Sequence, residues 1–121
     1  MPELTLQRIP FSVGADNKLR TLKTRTGLTP NILCRVGLCL SLEEPGIPAN
    51  LPDNYQIGRE INRYTLLGKY DFFFVALLVT RLNMDNISSN QIDEMFLSHL
   101  DRGIEMLVAR VKYISDIGHL V

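Results

Sequence analysis

A five-residue turn, TGLTP at residues 26–30, constrains the fold of this chain more than any other stretch. Gly27 suits the left-handed backbone conformation that commonly ends a helix. A threonine followed by Pro30 is typical of the cap and the first turn of the next helix. The turn therefore predicts two consecutive helices, over residues 13–26 and 30–42, set at a fixed angle.

The two predicted helices differ in composition. Ser12 is a suitable cap for the first helix, whose apolar residues recur at a spacing of three or four. These residues define one buried face: Phe11, Ala15, Leu19 and Leu22. The second helix is apolar around most of its circumference, which predicts that the rest of the domain or another subunit buries it.

Charge is distributed unevenly, although the net charge of the chain is zero. Residues 1–36 carry six Lys and Arg against two Asp and Glu, whereas the remaining residues carry seven against eleven. A basic N-terminal third can bind an anion, or it can dock onto the acidic part of a neighbouring subunit.

The rest of the chain alternates predicted elements with one long loop. Prolines and a glycine exclude a helix or a central strand over residues 43–54. The other predicted elements are a strand over residues 3–8 that ends at Pro10, a strand or hairpin over 59–68, a helix over 69–83, and a helix over 91–113 capped by Ser89 or Asn90. Together they predict a single, mostly α domain over residues 1–121 with a minor β component.

Composition argues against several classes of protein. No apolar run reaches the ~18 residues of a membrane span, and the first ten residues lack the pattern of a secretion signal, so a cytoplasmic location is expected. Cys34 and Cys39 are predicted to be buried, reduced thiols, because two cysteines without neighbouring histidines make a poor metal site. No cofactor and no metal are predicted.

Two blocks of the sequence resemble the DNA sulfur modification protein DndE family. They are TGLTPNILCRVGLCLSLEEPGIP at residues 26–48 and HLDRGIEML at residues 99–107. The resemblance implies a small, mostly helical fold with a ribbon-helix-helix-like N-terminal unit of strand, helix, turn and helix. It also implies a part in bacterial DNA phosphorothioation, in which sulfur replaces a non-bridging phosphate oxygen of DNA.

The resemblance further implies an accessory DNA-binding subunit that acts beside a cysteine desulfurase, an ATP-sulfurylase-like enzyme and an ATPase of the structural-maintenance type. The implied assembly is a homotetramer that prefers nicked duplex DNA and binds it through surface lysines. The present chain departs from that pattern because it has only four lysines. We therefore expect arginine to replace lysine at some phosphate contacts.

The candidate DNA-binding residues come from the basic first helix and the start of the second: Lys18, Arg20, Lys23, Arg25 and Arg35. On the first helix the cations flank the buried face and spread over the exposed one. Long, flexible basic side chains in such positions can reach phosphate oxygens without reading a base. The alternative for Arg35 is an ion pair with a carboxylate of this chain or of another subunit.

Small residues inside two predicted helices indicate close helix approach. Gly37 and Gly103 each cost helix stability relative to alanine, so we expect each to lie at an oligomer interface. His99 and Arg102 share a face of the last helix and are predicted to be a packed histidine and an interface arginine, with acid–base or phosphate chemistry as the alternative. Tyr64, Tyr70 and the aromatics of residues 72–74 are predicted to be core, with stacking on bases as the alternative.

Motifs that would indicate catalysis are missing from the sequence. It contains no phosphate-binding P-loop, no HExxH and no CxxC, and the acids of the last helix are typical of a solvated face. The sequence therefore favours a non-catalytic DNA-binding subunit. Three alternatives remain open: an enzyme that nicks DNA in the same system, a ribbon-helix-helix repressor that reads bases with paired N-terminal strands, and an assembly scaffold.

Overall fold

The structure, a computed structural model, describes residues 3–120. It is mostly α-helical with one two-stranded antiparallel sheet, as predicted. The elements are β1 (Arg8–Ser12), α1 (Val13–Thr26), α2 (Pro30–Glu43), β2 (Ile57–Asn62), α3 (Arg63–Leu67), α4 (Asp71–Met84) and α5 (Ile92–Arg110), with 3-10 turns at Gly68–Tyr70, Ser89–Gln91 and Ile114–His119.

Local capping chemistry fixes the ends of the first two helices. The side chain of Ser12 accepts a hydrogen bond from the backbone N–H of Ala15 at 3.0 Å, which satisfies an orphan donor at the start of α1. Gly27 ends α1 with a φ of 76°, the left-handed conformation that glycine adopts without strain. Pro30 begins α2. These features confirm the predicted bounds of α1 and the predicted start of α2.

The strands differ from the prediction. The predicted strand over residues 3–8 is wrong except at its last residue, because β1 begins at Arg8 and runs through Pro10 to Ser12. β1 pairs antiparallel with β2, so that Ile9 lies opposite Ile61. A two-stranded sheet leaves one edge of each strand unpaired, so a strand can accommodate the missing N–H of a proline. The order of strand, helix and helix agrees with a ribbon-helix-helix-like unit. However, β1 has its pairing partner within the same chain.

The predicted strand over residues 59–68 divides into β2 and the short helix α3. Asn62 marks the boundary, because its side-chain oxygen accepts hydrogen bonds from the backbone N–H groups of Tyr64 and Thr65. The last helix ends at Arg110 rather than at residue 113, and the predicted caps Ser89 and Asn90 lie in a 3-10 turn before it.

α5 forms the centre of the core and packs against both α1 and α2. The side chains buried there are mainly branched aliphatic residues: Leu19, Leu22, Leu33, Leu38, Leu100, Ile104 and Leu107. Burial of this kind supplies the main driving force for folding. No helix within residues 3–120 is long and apolar enough to cross a membrane.

The two glycines expected at an oligomer interface instead face each other inside one chain. A Cβ atom added to Gly103 would lie 2.1 Å from the carbonyl oxygen of Gly37, and both residues are buried. The close helix approach that glycine permits is therefore the contact between α2 and α5. This corrects the predicted interface role of both residues.

Two other expectations about the core need correction. Cys34 is buried, and burial raises the pKa of its thiol to about 12, but Cys39 is exposed. Of the three consecutive phenylalanines, only Phe74 is buried. The other aromatics predicted to be core are exposed: Tyr64, Tyr70, Phe72 and Phe73. The start of α4 thus presents an aromatic surface to solvent.

Candidate nucleic-acid interface

Three of the five predicted DNA-binding residues lie on the outside of α1. Lys23 is exposed, and no residue from 3 to 120 forms an ion pair with it. Lys18 lies beside α5, where its Nζ is 3.9 Å from a carboxylate oxygen of Glu105. Arg20 is 66% exposed along its side chain, and its Nε donates a hydrogen bond to Asp16 at 3.3 Å.

The other two predicted residues have structural partners. The Nη1 of Arg25 donates hydrogen bonds to the carbonyl oxygens of Val108 and Val111, both at 3.2 Å. The Nε of Arg35 donates to the carbonyl oxygen of Leu66 at 2.7 Å. These guanidinium groups bind carbonyls at the C-terminal ends of α5 and α3, which corrects the predicted DNA-binding role of both arginines.

Binding of helix C-termini by arginine recurs elsewhere in the molecule. At the end of α2, Arg81 donates to the carbonyl oxygens of Leu42 and Gly46, and Arg102 donates to the carbonyl oxygens of Ser41 and Gly46. The last carbonyls of a helix lack intrahelical partners and carry the negative end of its dipole, so a cation there is stabilising. Several arginines of this chain therefore stabilise the fold.

A buried serine–histidine pair lies beneath this arginine pair. Arg102 donates from Nε to Ser41 Oγ at 2.9 Å, and that hydroxyl oxygen is 2.8 Å from Nδ1 of His99. Because the arginine can only donate, it leaves the hydroxyl proton of Ser41 available to Nδ1, where a neutral imidazole can accept it. Burial, followed by the charges of Arg102 and Arg81, lowers the pKa of His99 to about 4.

A serine hydrogen-bonded to a histidine could be a nucleophile and its general base. The buried position of this pair argues against that role. Ser41 is 0% exposed and His99 is 1% exposed, so a substrate does not reach either group. The prediction of a packed histidine agrees with this geometry. The prediction of an interface arginine is corrected, because Arg102 binds carbonyl groups of its own chain.

A charged cluster that sequence reasoning missed lies where α1 meets β2. Asp16 is only 5% exposed, yet its carboxylate contacts two arginines. Arg20 contacts one oxygen, and Nε of Arg59 lies 2.8 Å from the other. Asp16 was visible in the sequence as the one acid of a basic helix, four residues before Arg20. Arg59, by contrast, gave no local signal.

The sheet register and one glycine bring Arg59 to Asp16. Arg59 lies opposite Phe11, whose side chain is buried, so both residues are on the sheet face that packs against α1. The neighbouring Gly58 approaches α1 so closely that a Cβ atom there would lie 2.9 Å from Cα of Val13. A larger residue at this position would push β2 and Arg59 away from the helix.

These residues define a surface that we call the α1–β2 edge: Asp16, Arg20, Lys23 and Arg59. At ~100° per residue, the three α1 residues of the edge fall on one side of the helix, within roughly 60° of each other. The edge carries three cations and one buried anion, which suits the binding of a polyanion. Within residues 3–120, no group of His, Cys, Asp and Glu side chains could hold a metal ion.

Comparison with known proteins adds to this geometry. A family model described as "DNA sulphur modification protein DndE" matches residues 8–115. The chain belongs to the DndE family. This membership associates it with DNA sulfur modification, as the two sequence blocks predicted. No curated protein matches the chain.

Solved structures of DndE share the fold. The crystal structure of DndE from Escherichia coli B7A, described as involved in DNA phosphorothioation modification, is 21% identical, with a TM-score of 0.70 over 87% of this chain and 99% of that chain. A glycine-to-lysine double mutant of DndE is 20% identical, with a TM-score of 0.64 over 84% of this chain and 96% of that chain.

Proposed function

We propose that this chain is a DNA-binding subunit of the phosphorothioation system and that it binds the phosphate backbone of duplex DNA. The binding surface is the α1–β2 edge, together with Lys18 on the other side of α1. The observation that carries the proposal is the availability of the cations. Lys23 is exposed without an ion-pair partner in the described part of the chain, and Arg20 projects into solvent above its contact with Asp16.

The chemistry of this surface favours recognition of the backbone over recognition of bases. Lysine and arginine neutralise phosphates and release counterions, which gives affinity that depends on salt and not on sequence. A base-reading ribbon would need a paired strand that is free to enter a groove. In this chain β1 pairs with β2 and its buried residues pack into the core. A preference for nicked duplex, suggested by the family, fits because an interrupted duplex is cheaper to bend.

The proposal includes a homo-oligomer, with a tetramer suggested by the family, and a location in the cytoplasm beside the other phosphorothioation proteins. An exposed apolar groove between α2 and α4, with a volume of about 390 Å³, is a suitable contact surface. It is lined mainly by Cys39, Leu42, Phe73, Leu77 and Met84. Association would bring several basic surfaces onto one DNA molecule and raise the overall affinity through effective concentration.

Neutralising the two lysines of α1 tests the DNA-binding surface. Each phosphate contact from an exposed lysine contributes on the order of 1 kcal/mol, so K18Q/K23Q is expected to bind a short duplex about tenfold to thirtyfold more weakly at low salt. Fluorescence anisotropy with labelled DNA of random sequence measures the change. Light scattering checks that the variant keeps the assembly state of the wild type.

A charge-matched control separates the surface from the net charge. R8Q/K69Q removes the same two charges, but Lys69 lies before α4 and Arg8 is exposed on β1, where it pairs with Glu60. Its affinity for DNA should stay within about twofold of the wild type. If both double variants lose affinity equally, only overall charge matters and the proposed surface is wrong.

A further inference from the structure

We propose that Asp16, Arg20 and Arg59 form a phosphate clamp, in which one buried carboxylate positions two guanidinium groups to bind a single phosphodiester of DNA. The inference rests on the proposed function and adds to it a specific phosphate site. In this site Asp16 is a positioning residue that holds the two arginines. Arg59, from β2, is an additional DNA-binding residue.

The two arginines reach Asp16 in the same way. Each approaches the carboxylate through its Nε, at 3.3 Å for Arg20 and 2.8 Å for Arg59. The terminal nitrogens, Nη1 and Nη2, of both side chains donate no hydrogen bond to a group of residues 3–120. A guanidinium group with both terminal nitrogens available presents a planar fork that matches two oxygens of a phosphate.

Burial increases from the guanidinium groups to the carboxylate. The side chain of Arg20 is 66% exposed, that of Arg59 is 29% exposed and that of Asp16 is 7% exposed. Within the described part of the chain, Asp16 Oδ1 is the one buried side-chain nitrogen or oxygen without a hydrogen bond, because the Arg59 contact is an ion pair that lacks hydrogen-bond alignment. The side chains of both arginines are therefore more exposed than the carboxylate that they contact, and an anion would approach from their side.

The charges of the clamp leave an attraction for phosphate. Two guanidinium groups and one carboxylate sum to one positive charge, which a phosphodiester would neutralise, and Lys23 adds a further cation on the same side of α1. A carboxylate shielded from water attracts its counterions more strongly than an exposed one. Asp16 thereby restrains two long side chains before DNA arrives, which lowers the entropy cost of ordering them on binding.

In the competing explanation, Asp16 only neutralises the charge of the arginines and so weakens their attraction for phosphate. The two explanations predict opposite effects of D16N, which keeps the shape of the side chain and removes its charge. Loss of positioning should weaken binding to a short duplex of random sequence about fivefold, although the variant gains net positive charge. Loss of a quenching counterion should strengthen binding, and that result would overturn the clamp.

R59K provides the second test and decides the matter if D16N does not fold. Lysine keeps the charge but loses the planar fork, so affinity should fall about fivefold while the salt dependence of binding stays unchanged. R8K, at an exposed arginine that pairs with Glu60, makes the same replacement outside the clamp and should bind as the wild type does. Circular dichroism and thermal unfolding establish that each variant is folded at the temperature of the assay.

The outcomes distinguish this inference from the proposed function. Failure of the wild type to bind DNA, or binding by K18Q/K23Q at wild-type affinity, would refute the proposed surface. Weakened binding by K18Q/K23Q together with wild-type affinity in R59K would leave the surface in place and overturn only the clamp.

Discussion

Replacement of Gly103 by alanine is expected to lower the free energy of unfolding by about 3 kcal/mol or more. The added Cβ would lie 2.1 Å from the carbonyl oxygen and 2.3 Å from the carbonyl carbon of Gly37. The obstacle is backbone of a facing helix, so no side-chain rotation relieves it. α2 and α5 would have to separate along the most extensive helix contact of the fold, which opens voids among the surrounding leucines.

Two other glycines serve as controls, and urea denaturation measures all three variants. A Cβ on Gly37 would lie 3.0 Å from the nearest backbone atom of Gly103, so G37A should destabilise the fold less than G103A. A Cβ on Gly14 would meet only Ser12 Oγ at 3.9 Å, so G14A should be neutral or stabilising by up to about 1 kcal/mol. Equal stability of G103A and the wild type would show that the two helices do not touch at this point.

Acidification between pH 6.5 and pH 4 is expected to destabilise the protein by up to about 3 kcal/mol through His99 alone. The pKa of this histidine is lowered from 6.5 to about 4 in the folded state, first by burial and then by Arg102 and Arg81. The unfolded chain binds the proton more readily over that range. The contribution of His99 to stability is therefore complete above pH 6.5, declines as the pH falls, and is lost below about pH 4.

Urea denaturation at a series of pH values checks this expectation. In H99N, the amide oxygen can still accept the hydrogen bond of Ser41 but does not titrate, so the decline between pH 6.5 and pH 5 should flatten. H119N removes the other histidine, which is exposed, and should leave the pH dependence unchanged. A decline that persists in H99N would assign the acid sensitivity to carboxylates and contradict the neutral, buried state of the imidazole.

Much of the helical structure could be predicted because its determinants are local. Ser12, Gly27 and Pro30 act within their own turns, and the structure begins and ends α1 and α2 within one residue of the predicted positions. The position of β1 was predicted wrongly, over residues 3–8, because Pro10 was expected to end the strand, whereas it lies inside Arg8–Ser12. Whether a strand tolerates proline depends on which edge is paired, and that is a property of the tertiary structure.

The candidate site was predictable only in part, for a similar reason. Exposure of Lys23 follows from its position on an amphipathic helix. Nothing in the sequence around Arg25 shows that its guanidinium group binds carbonyls 83 and 86 residues further along the chain. Gly37 and Gly103 were correctly predicted to allow close helix approach, but the sequence did not identify each as the partner of the other. Arg59 enters the site only through the register of the sheet.

The most direct test of the central claim, that the cations of the α1–β2 edge and Lys18 bind DNA phosphates, is the salt dependence of the wild-type affinity for duplex DNA. Lys18, Lys23 and the phosphate shared by Arg20 and Arg59 together predict a slope of log K against log salt of about −3, and a loss of about fortyfold between about 50 and 200 mM salt. Two duplexes of unrelated sequence should give the same line. Absence of binding at low salt, a slope near zero, or strong binding to only one of the two sequences would contradict the account.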